Sequence, residues 1–141
     1  SWLLRRVFET ATDYEMARAM LRDTQIAAGA IYSLVGPAPG QACVIERRPE
    51  EAGVIDGPGA AANAWQAAGW RGRPRGEANE ARRAALHRAD VALDGAFDWL
   101  RPPVLNETTR LVFVADPASG DFVARGWEAD GPATATLEAA A

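Results

Sequence analysis

The sequence of 141 residues contains no lysine, one histidine and one cysteine. A single cysteine forms no intrachain disulfide, and one histidine with one cysteine gives no basis for a zinc site, which takes about four such ligands. The glycine fingerprints of phosphate-binding loops and dinucleotide-binding folds are missing. No apolar run approaches the roughly 20 residues that a membrane-spanning helix needs. We therefore expect no metal, no cofactor and no membrane span.

The composition is that of one globular domain with a core, and the chain is too short for two. Its formal net charge of -4 argues against general nucleic-acid binding, which needs a basic surface. Ser1 leads directly into the amphipathic pattern of residues 2–8, whereas natural N-termini are usually polar. We therefore expect a processed or truncated piece of a longer protein, with Ser1 at a processing site or at an artificial boundary.

Helical and strand patterns follow one another in the order of an α+β protein. A helix over residues 2–9 is followed by a second helix to about Arg22, for which Thr12 and Glu15 predict a capping box. β-branched, aromatic and turn residues predict strands at 30–35, 42–46, 54–55 and 60–65 and an irregular loop at 66–77.

Apolar residues at spacings of three and four predict a long helix from about Ala78 to Leu100, with Ala85, Ala89, Leu93, Phe97 and Leu100 on its buried side. A β-hairpin is predicted from strands at 109–114 and 122–127, and residues 129–141 are expected to be a loose tail. The strands are apolar on both faces, as in a sheet that is covered on both sides. That layering is typical of a helix–sheet–sheet–helix sandwich with antiparallel pairing, of which this chain would form only a part.

Few side chains carry chemistry. Cys43 lies in an apolar strand, where a thiol is usually inert packing, and His87 lies on the predicted long helix without an evident partner. Asn63 ends an apolar run of small residues, where an amide N–H₂ can point at a developing oxyanion, although a turn-forming Asn is the commoner interpretation. The arginines between Arg71 and Arg88 form the one strongly basic stretch. Such a stretch is usually a solvated face, but planar guanidinium groups also orient anions.

Taken in order, these segments resemble the superfamily of N-terminal-nucleophile amide hydrolases that includes acid ceramidase, N-acylethanolamine amidase and the penicillin-forming acyltransferase. The resemblance rests on four segments over residues 1–128: strands 31–35 and 43–47, Asn63 with Trp65, the arginine loop 71–75, and Pro103-Val104-Leu105-Asn106-Glu107-Thr108-Thr109 before the hairpin. It implies that residues 1–128 form the C-terminal portion of a four-layer αββα sandwich.

The same resemblance implies a linear amide C–N hydrolase or acyltransferase whose cysteine nucleophile, with its free α-amino group as the base, would lie upstream of Ser1. Asn63 matches the family's oxyanion-stabilising Asn, although Ala62 replaces the Thr that the family prefers before it. Arg75 matches the substrate-positioning Arg, with Arg73 and Arg82 as alternatives. Ser1 is rejected as a nucleophile, because the residues after it resemble a mid-protein helix.

Two functions therefore stand side by side. In the first, the chain completes an enzyme with the missing N-terminal portion, takes a small N-acyl amide as substrate and is inactive alone. In the second, it is a non-catalytic fragment or degenerate relative whose Arg-rich loop binds an acidic partner. A cysteine followed closely by Arg and Asp upstream of Ser1 would favour the enzyme.

Overall fold

A computed structural model of the chain describes residues 2–139 and divides the chain into two compact units, Ser1–Asn79 and Glu80–Ala141. The first unit contains α1 (Trp2–Thr10), α2 (Tyr14–Asp23), β1 (Ala30–Val35), β2 (Ala42–Arg47) and β3 (Ala52–Asp56). Helix α3 (Asn79–His87) begins at the boundary residue. The second unit continues with β4 (Leu111–Ala115), β5 (Phe122–Glu128), β6 (Gly131–Pro132) and β7 (Leu137–Ala139).

The first unit is a three-stranded antiparallel sheet in the order β1-β2-β3, with α1 and α2 packed on one face. Leu3 and Val7 from α1 and Leu21 from α2 join Cys43 and Ile45 of β2 in its core. The apolar residues of α1 recur every three or four positions, so they fall on one face, and alternation along β2 turns Cys43 and Ile45 to the same side. The two predicted helices and the strands 30–35, 42–46 and 54–55 are confirmed.

Helix α2 is capped one residue later than the sequence predicts. The carboxylate of Asp13 accepts from the backbone N–H of Met16 at 2.8 Å, and Asp13 has the extended backbone of an N-cap residue. The short Asp side chain reaches this otherwise unpaired amide directly. Thr12, the expected cap, instead donates its hydroxyl to the Asp13 carboxylate. The predicted capping box of Thr12 and Glu15 is therefore wrong.

The second unit is built on the predicted hairpin, which is confirmed. Strands β4 and β5 pair antiparallel, and Phe97, Leu100, Val112 and Val123 form the core beside them. Residues in the segment expected to be a loose tail also pair with β5, because β6 and β7 both hydrogen-bond to it. The hydroxyl of Thr134 accepts from the Gly126 N–H at 2.9 Å, which gives this small, polar segment a fixed place beside the sheet.

The long helix expected from Ala78 to Leu100 is wrong beyond its first part, since α3 ends at His87. Gly95 and Phe97 have φ values of 69° and 57°, which a right-handed helix does not allow. The Asp94 carboxylate also accepts from the Ala96 N–H, a local turn that competes with helical pairing. As a result Leu93, expected on the buried side, is 38% exposed, whereas Phe97 and Leu100 are buried from an irregular segment.

Residues 60–65 do not form the strand that the sequence predicts. After β3 ends at Asp56, the chain is irregular until α3 begins. The backbone N–H of Ala64 bonds to the carbonyl of Ala62 at 2.8 Å, a tight turn that bends the chain away from an extended path. Asn63 therefore lies in a loop and does not end a strand.

The predicted α+β class with antiparallel pairing is confirmed by the two sheets, one in each unit. Among residues 2–139, no helix has the length and apolar character needed to cross a membrane.

Candidate functional site

The irregular loop from Gly57 to Ala78, which carries Asn63, Arg73 and Arg75, is attached to the sheet by a buried carboxylate. Glu46, near the end of β2, is 0% exposed. Its two oxygens accept from the backbone N–H groups of Gln66 at 2.6 Å and Ala67 at 2.7 Å. A buried carboxylate is costly unless hydrogen bonds replace its water, and two amides of the loop do so here. Glu46 thus fixes the middle of the loop from beneath.

Arg47, the next residue along β2, anchors the same end of the strand on the opposite face of the sheet. Because side chains alternate along a strand, Arg47 points away from Glu46. Its guanidinium donates to the carbonyls of Leu21 and Thr24, the latter at 2.9 Å, at the C-terminal end of α2. A cation is favoured there because the last carbonyls of a helix are unpaired and partially negative. The end of β2 therefore holds both α2 and the loop in place.

Asn79, the first residue of α3, ties together the two loop positions singled out from the sequence. Its Oδ1 accepts from the Asn63 N–H at 3.0 Å, and its Nδ2 donates to the carbonyls of Arg75 and Gly76, both at 3.1 Å. The Arg75 N–H in turn donates to the Asn63 carbonyl at 3.0 Å. Asn63 and Arg75 are therefore neighbours, held through their backbones by one amide side chain.

The side chain of Asn63 remains available, since Asn63 is exposed and its amide has no hydrogen-bond partner among residues 2–139. Arg73 and Arg75 are also exposed and form no ion pair within that range. Arg82 lies on α3 in the second unit and lines a cleft there. The structure thus brings Arg75 to Asn63 through the backbone, places Arg73 in the same loop, and assigns Arg82 to the other unit.

Two tryptophans of the loop pack against each other. The rings of Trp65 and Trp70 meet edge to face with their centroids 5.3 Å apart, and the Arg48 guanidinium lies 4.7 Å from the Trp70 centroid. A Cβ at Gly29 or at Gly72 would lie 3.0 Å from the Trp65 ring, a tight contact, so glycine at both positions lets this ring pack closely. The aromatic residue two places after Asn63 is therefore a packing anchor for the loop.

Cys43 is buried, as the sequence predicts, with 3% of its surface exposed. Burial raises the pKa of the Tyr14 hydroxyl to about 12, and a hydrogen bond with the Cys43 thiol adds to this rise. The thiol therefore lies in the core of the first unit with a buried phenol beside it. Its predicted lack of reactivity stays a prediction. His87 is exposed in the last turn of α3.

Glu46 and Asn79 were missed as parts of the site. A signal for Glu46 was present, because a carboxylate directly after Cys43-Val44-Ile45 in a strand covered on both faces must find buried donors. Asn79 carried the weaker signal of an Asn at the start of a helical pattern, where its amide commonly bonds nearby backbone. The Asn79 signal does not identify its partner Asn63, which lies 16 residues earlier in the chain, and the Glu46 signal does not identify Gln66 and Ala67 as its donors.

Comparisons of this chain with models of protein families, with curated proteins and with solved structures find no match.

Proposed function

We propose that this chain is part of an amidase or acyltransferase acting on linear amide C–N bonds. The observation that carries the proposal is the loop at Asn63. Its backbone N–H and carbonyl are both engaged, while its side-chain amide is exposed and without a partner among residues 2–139. The backbone of Asn63 is thus fixed, so its amide needs only rotation about its two side-chain bonds to reach a nearby oxygen on which charge develops. An oxyanion donor in acyl transfer must be positioned near that oxygen, and binding of the substrate would then fix the rotation.

In this proposal each residue of the loop has a separate role. The Asn63 N–H₂ donates to the oxyanion of the tetrahedral intermediate, and the Arg75 guanidinium orients the substrate or the developing charge. Arg73 and Arg82 are the alternatives for the second role. Asn79 and Glu46 are positioning residues that act through the loop backbone. Cys43 has no catalytic role.

The remaining parts would come from a portion of the protein upstream of this chain. There we propose a cysteine nucleophile whose own α-amino group takes up the thiol proton, as the sequence resemblance implies. We also propose that the α+β chain contributes to a four-layer αββα sandwich completed by that portion. The substrate would be a small N-acyl amide, and no cofactor is required. The chain by itself is expected to be inactive on amides.

The experiment is an Asn63→Ala substitution in the longer protein, assayed on a panel of N-acyl amino acids and N-acyl amines. Loss of one oxyanion donor should lower kcat by about 10²–10³, with little change in KM, because the bond strengthens mainly in the transition state. Asn63→Asp should lose as much, since a carboxylate cannot donate. Arg71→Ala, in the same exposed loop, is the matched control and should retain activity.

Thermal unfolding of the same preparations distinguishes this role from a structural one. Asn63 makes no side-chain bond within residues 2–139, so its substitution should leave the melting temperature nearly unchanged. A stable and fully active Asn63→Ala protein would refute the assignment. Turnover of the panel by the 141-residue chain alone would refute the claim that the nucleophile lies elsewhere.

A second candidate function is favoured by the exposed loop arginines, Arg71, Arg73 and Arg75, which form no ion pair within residues 2–139. An interaction module would use them to bind an acidic partner. Its test is salt-sensitive binding of a polyglutamate peptide that a triple Arg→Gln variant of these positions abolishes. Binding of this kind by a longer protein that turns over no amide would favour the module over the enzyme.

A further inference from the structure

The second unit contains a cleft of about 370 Å³. Its polar lining comes from Arg82 on α3, from Trp99 and from the turn that precedes β4, and its apolar lining includes Leu100, Val104 and residues of β4. The volume lies at the small end of the range of ligand pockets, roughly 300–1,000 Å³. Among the described residues 2–139, two arginines, Arg82 and Arg110, line the cleft and no acidic side chain does.

Two buried N–H groups in this lining have no acceptor. The Nε of Arg82 and the Nε1 of Trp99 are closed to solvent and have no hydrogen-bond partner among residues 2–139. The Arg82 guanidinium as a whole makes no hydrogen bond or ion pair within that range. An unsatisfied buried donor costs about 1–3 kcal/mol, more for a charged one. Both orphaned groups are donors, so what the cleft lacks is an acceptor.

The other polar groups of the cleft are already engaged within the turn. The Asn106 amide donates to the Val104 carbonyl and accepts from the Thr108 hydroxyl at 2.6 Å, and Thr109 accepts from the Asn106 N–H. One guanidinium nitrogen of Arg110, Nη1, donates to the carbonyls of Glu107 and Thr109, and the other N–H groups of this side chain remain available to a ligand. The turn is therefore a rigid wall that holds Arg110 at the cleft.

The apolar side of the cleft includes two large residues that are more than half exposed, Leu111 and Phe113, at 66% and 55%. They lie on the same face of β4, two positions apart. An anion without an apolar part would leave this surface in water. An anion that carries a short alkyl or aromatic group would cover it while its head meets the arginines.

We propose that this cleft binds a small carboxylate with an apolar tail. The carboxylate accepts from Arg82 and Trp99 after a small reorientation of these side chains, with Arg110 as a second cation. The tail lies against Val104, Leu111 and Phe113. The site stands on residues of the second unit alone and does not depend on the function proposed above.

The test is calorimetric titration of the full chain with octanoate, together with octanol, octyl phosphate and acetate. Octanoate should bind with one site per chain and weaken as salt is raised, because the arginines are partly exposed to screening. Octanol should bind at least tenfold more weakly than octanoate because it carries no charge. Acetate should also bind at least tenfold more weakly, because it has no apolar tail. Equal binding of octanol and octanoate would overturn the proposal. Octyl phosphate binding tighter than octanoate would overturn the choice of a carboxylate head.

Substitutions identify the donors. Arg82→Gln should weaken octanoate binding by about tenfold or more. Arg110→Gln should weaken it by a few-fold, and because Arg110 is exposed, this variant tests the site even if Arg82→Gln folds poorly. Arg88→Gln is the matched control, an exposed arginine just after α3 that does not line the cleft. Unchanged affinity in both Arg82→Gln and Arg110→Gln, or equal loss in Arg88→Gln, would refute the site.

Trp99→Phe separates binding from structure. It keeps most of the ring and removes an N–H that has no partner in the ligand-free chain. Affinity for octanoate should fall a few-fold while the unfolding midpoint stays the same or rises. A fall in stability with unchanged affinity would assign Trp99 to packing and contradict its role as a donor.

Discussion

The Asn63 loop of the first unit and the cleft of the second unit treat buried polar groups in opposite ways. Beneath the loop, the Glu46 carboxylate has both oxygens engaged, and Asn79 uses both its donor and its acceptor. In the cleft, the Nε of Arg82 and the Nε1 of Trp99 are buried and have no hydrogen-bond partner within residues 2–139. A satisfied network rigidifies what it holds, whereas an unsatisfied donor marks a place where an acceptor is missing. The hydrogen bonds of the first unit thus hold the Asn63 loop in place, whereas the cleft of the second unit offers donors to a ligand.

The largest effect is expected at Glu46. Glu46→Ala leaves the N–H groups of Gln66 and Ala67 without an acceptor and creates a cavity at a fully buried position. The free energy of unfolding should fall by about 3–4 kcal/mol. Urea unfolding measures this, with Glu50→Ala at a nearby exposed position as a control that should change little. A loss below about 1 kcal/mol would mean that the loop is not held from beneath.

The next effect concerns pH. An ordinary tyrosine loses its proton near pH 10.0, whereas Tyr14 in the folded chain keeps its proton to about pH 12. Between these values the unfolded state binds fewer protons, so stability falls as pH rises through the window. The loss should be about 2–3 kcal/mol, at about 1.4 kcal/mol for each pKa unit.

Urea unfolding at pH 8, 10 and 11 should show about half of this loss by pH 11, and Tyr14→Phe should remove it. Tyr14 and the Nε1 of Trp99 are both buried polar groups of aromatic residues, but among residues 2–139 the Tyr14 hydroxyl has a partner, the Cys43 thiol, and the Trp99 Nε1 has none. Removing the polar group should therefore cost stability at Tyr14 and not at Trp99. Equal losses in the two Phe variants would break the comparison.

A smaller loss is expected at Asn79. Asn79→Ala removes the bonds to the Asn63 N–H and to the carbonyls of Arg75 and Gly76, for about 2 kcal/mol of stability. Asn79→Asp keeps the acceptor for Asn63 and should lose about half as much. If the chain is part of the amidase or acyltransferase proposed above, both variants should lower the kcat of that enzyme through Asn63. Unchanged kcat in a destabilised Asn79→Ala protein would show that the loop's position does not serve catalysis.

The smallest effect is a gain. Ala78, directly before Asn79, has a φ of 52°, a left-handed conformation that costs a residue with a Cβ about 1 kcal/mol. Ala78→Gly should therefore raise the free energy of unfolding by up to about 1 kcal/mol. Ala81→Gly, inside α3, is the opposite control and should lower it by about the same amount. A destabilised Ala78→Gly chain would mean that the loop end does not hold this conformation.

The sequence by itself determined the local elements whose patterns are strong. Amphipathic spacing located α1 and α2, apolar β-branched runs located β1 and β2, and two such runs around a Pro–Gly turn located the hairpin of β4 and β5. Together these elements established the α+β class with antiparallel pairing. They succeed because each depends on residues within one turn or on neighbouring strands.

Only the tertiary structure decided the path of the chain where local patterns mislead. The apolar spacing from Ala85 to Leu100 favours one helix, but α3 ends at His87, and left-handed residues at Gly95 and Phe97 keep the later segment from being helical. The small-residue run before Asn63 is typical of a strand, yet it lies in an irregular loop. Glu46 holds this loop through the N–H of Gln66, 20 residues later in the chain. Hydrogen bonds over such separations leave no periodic trace in the sequence. The partners of Asn63, and the missing acceptor at Arg82 and Trp99, are for that reason visible only once the chain has folded.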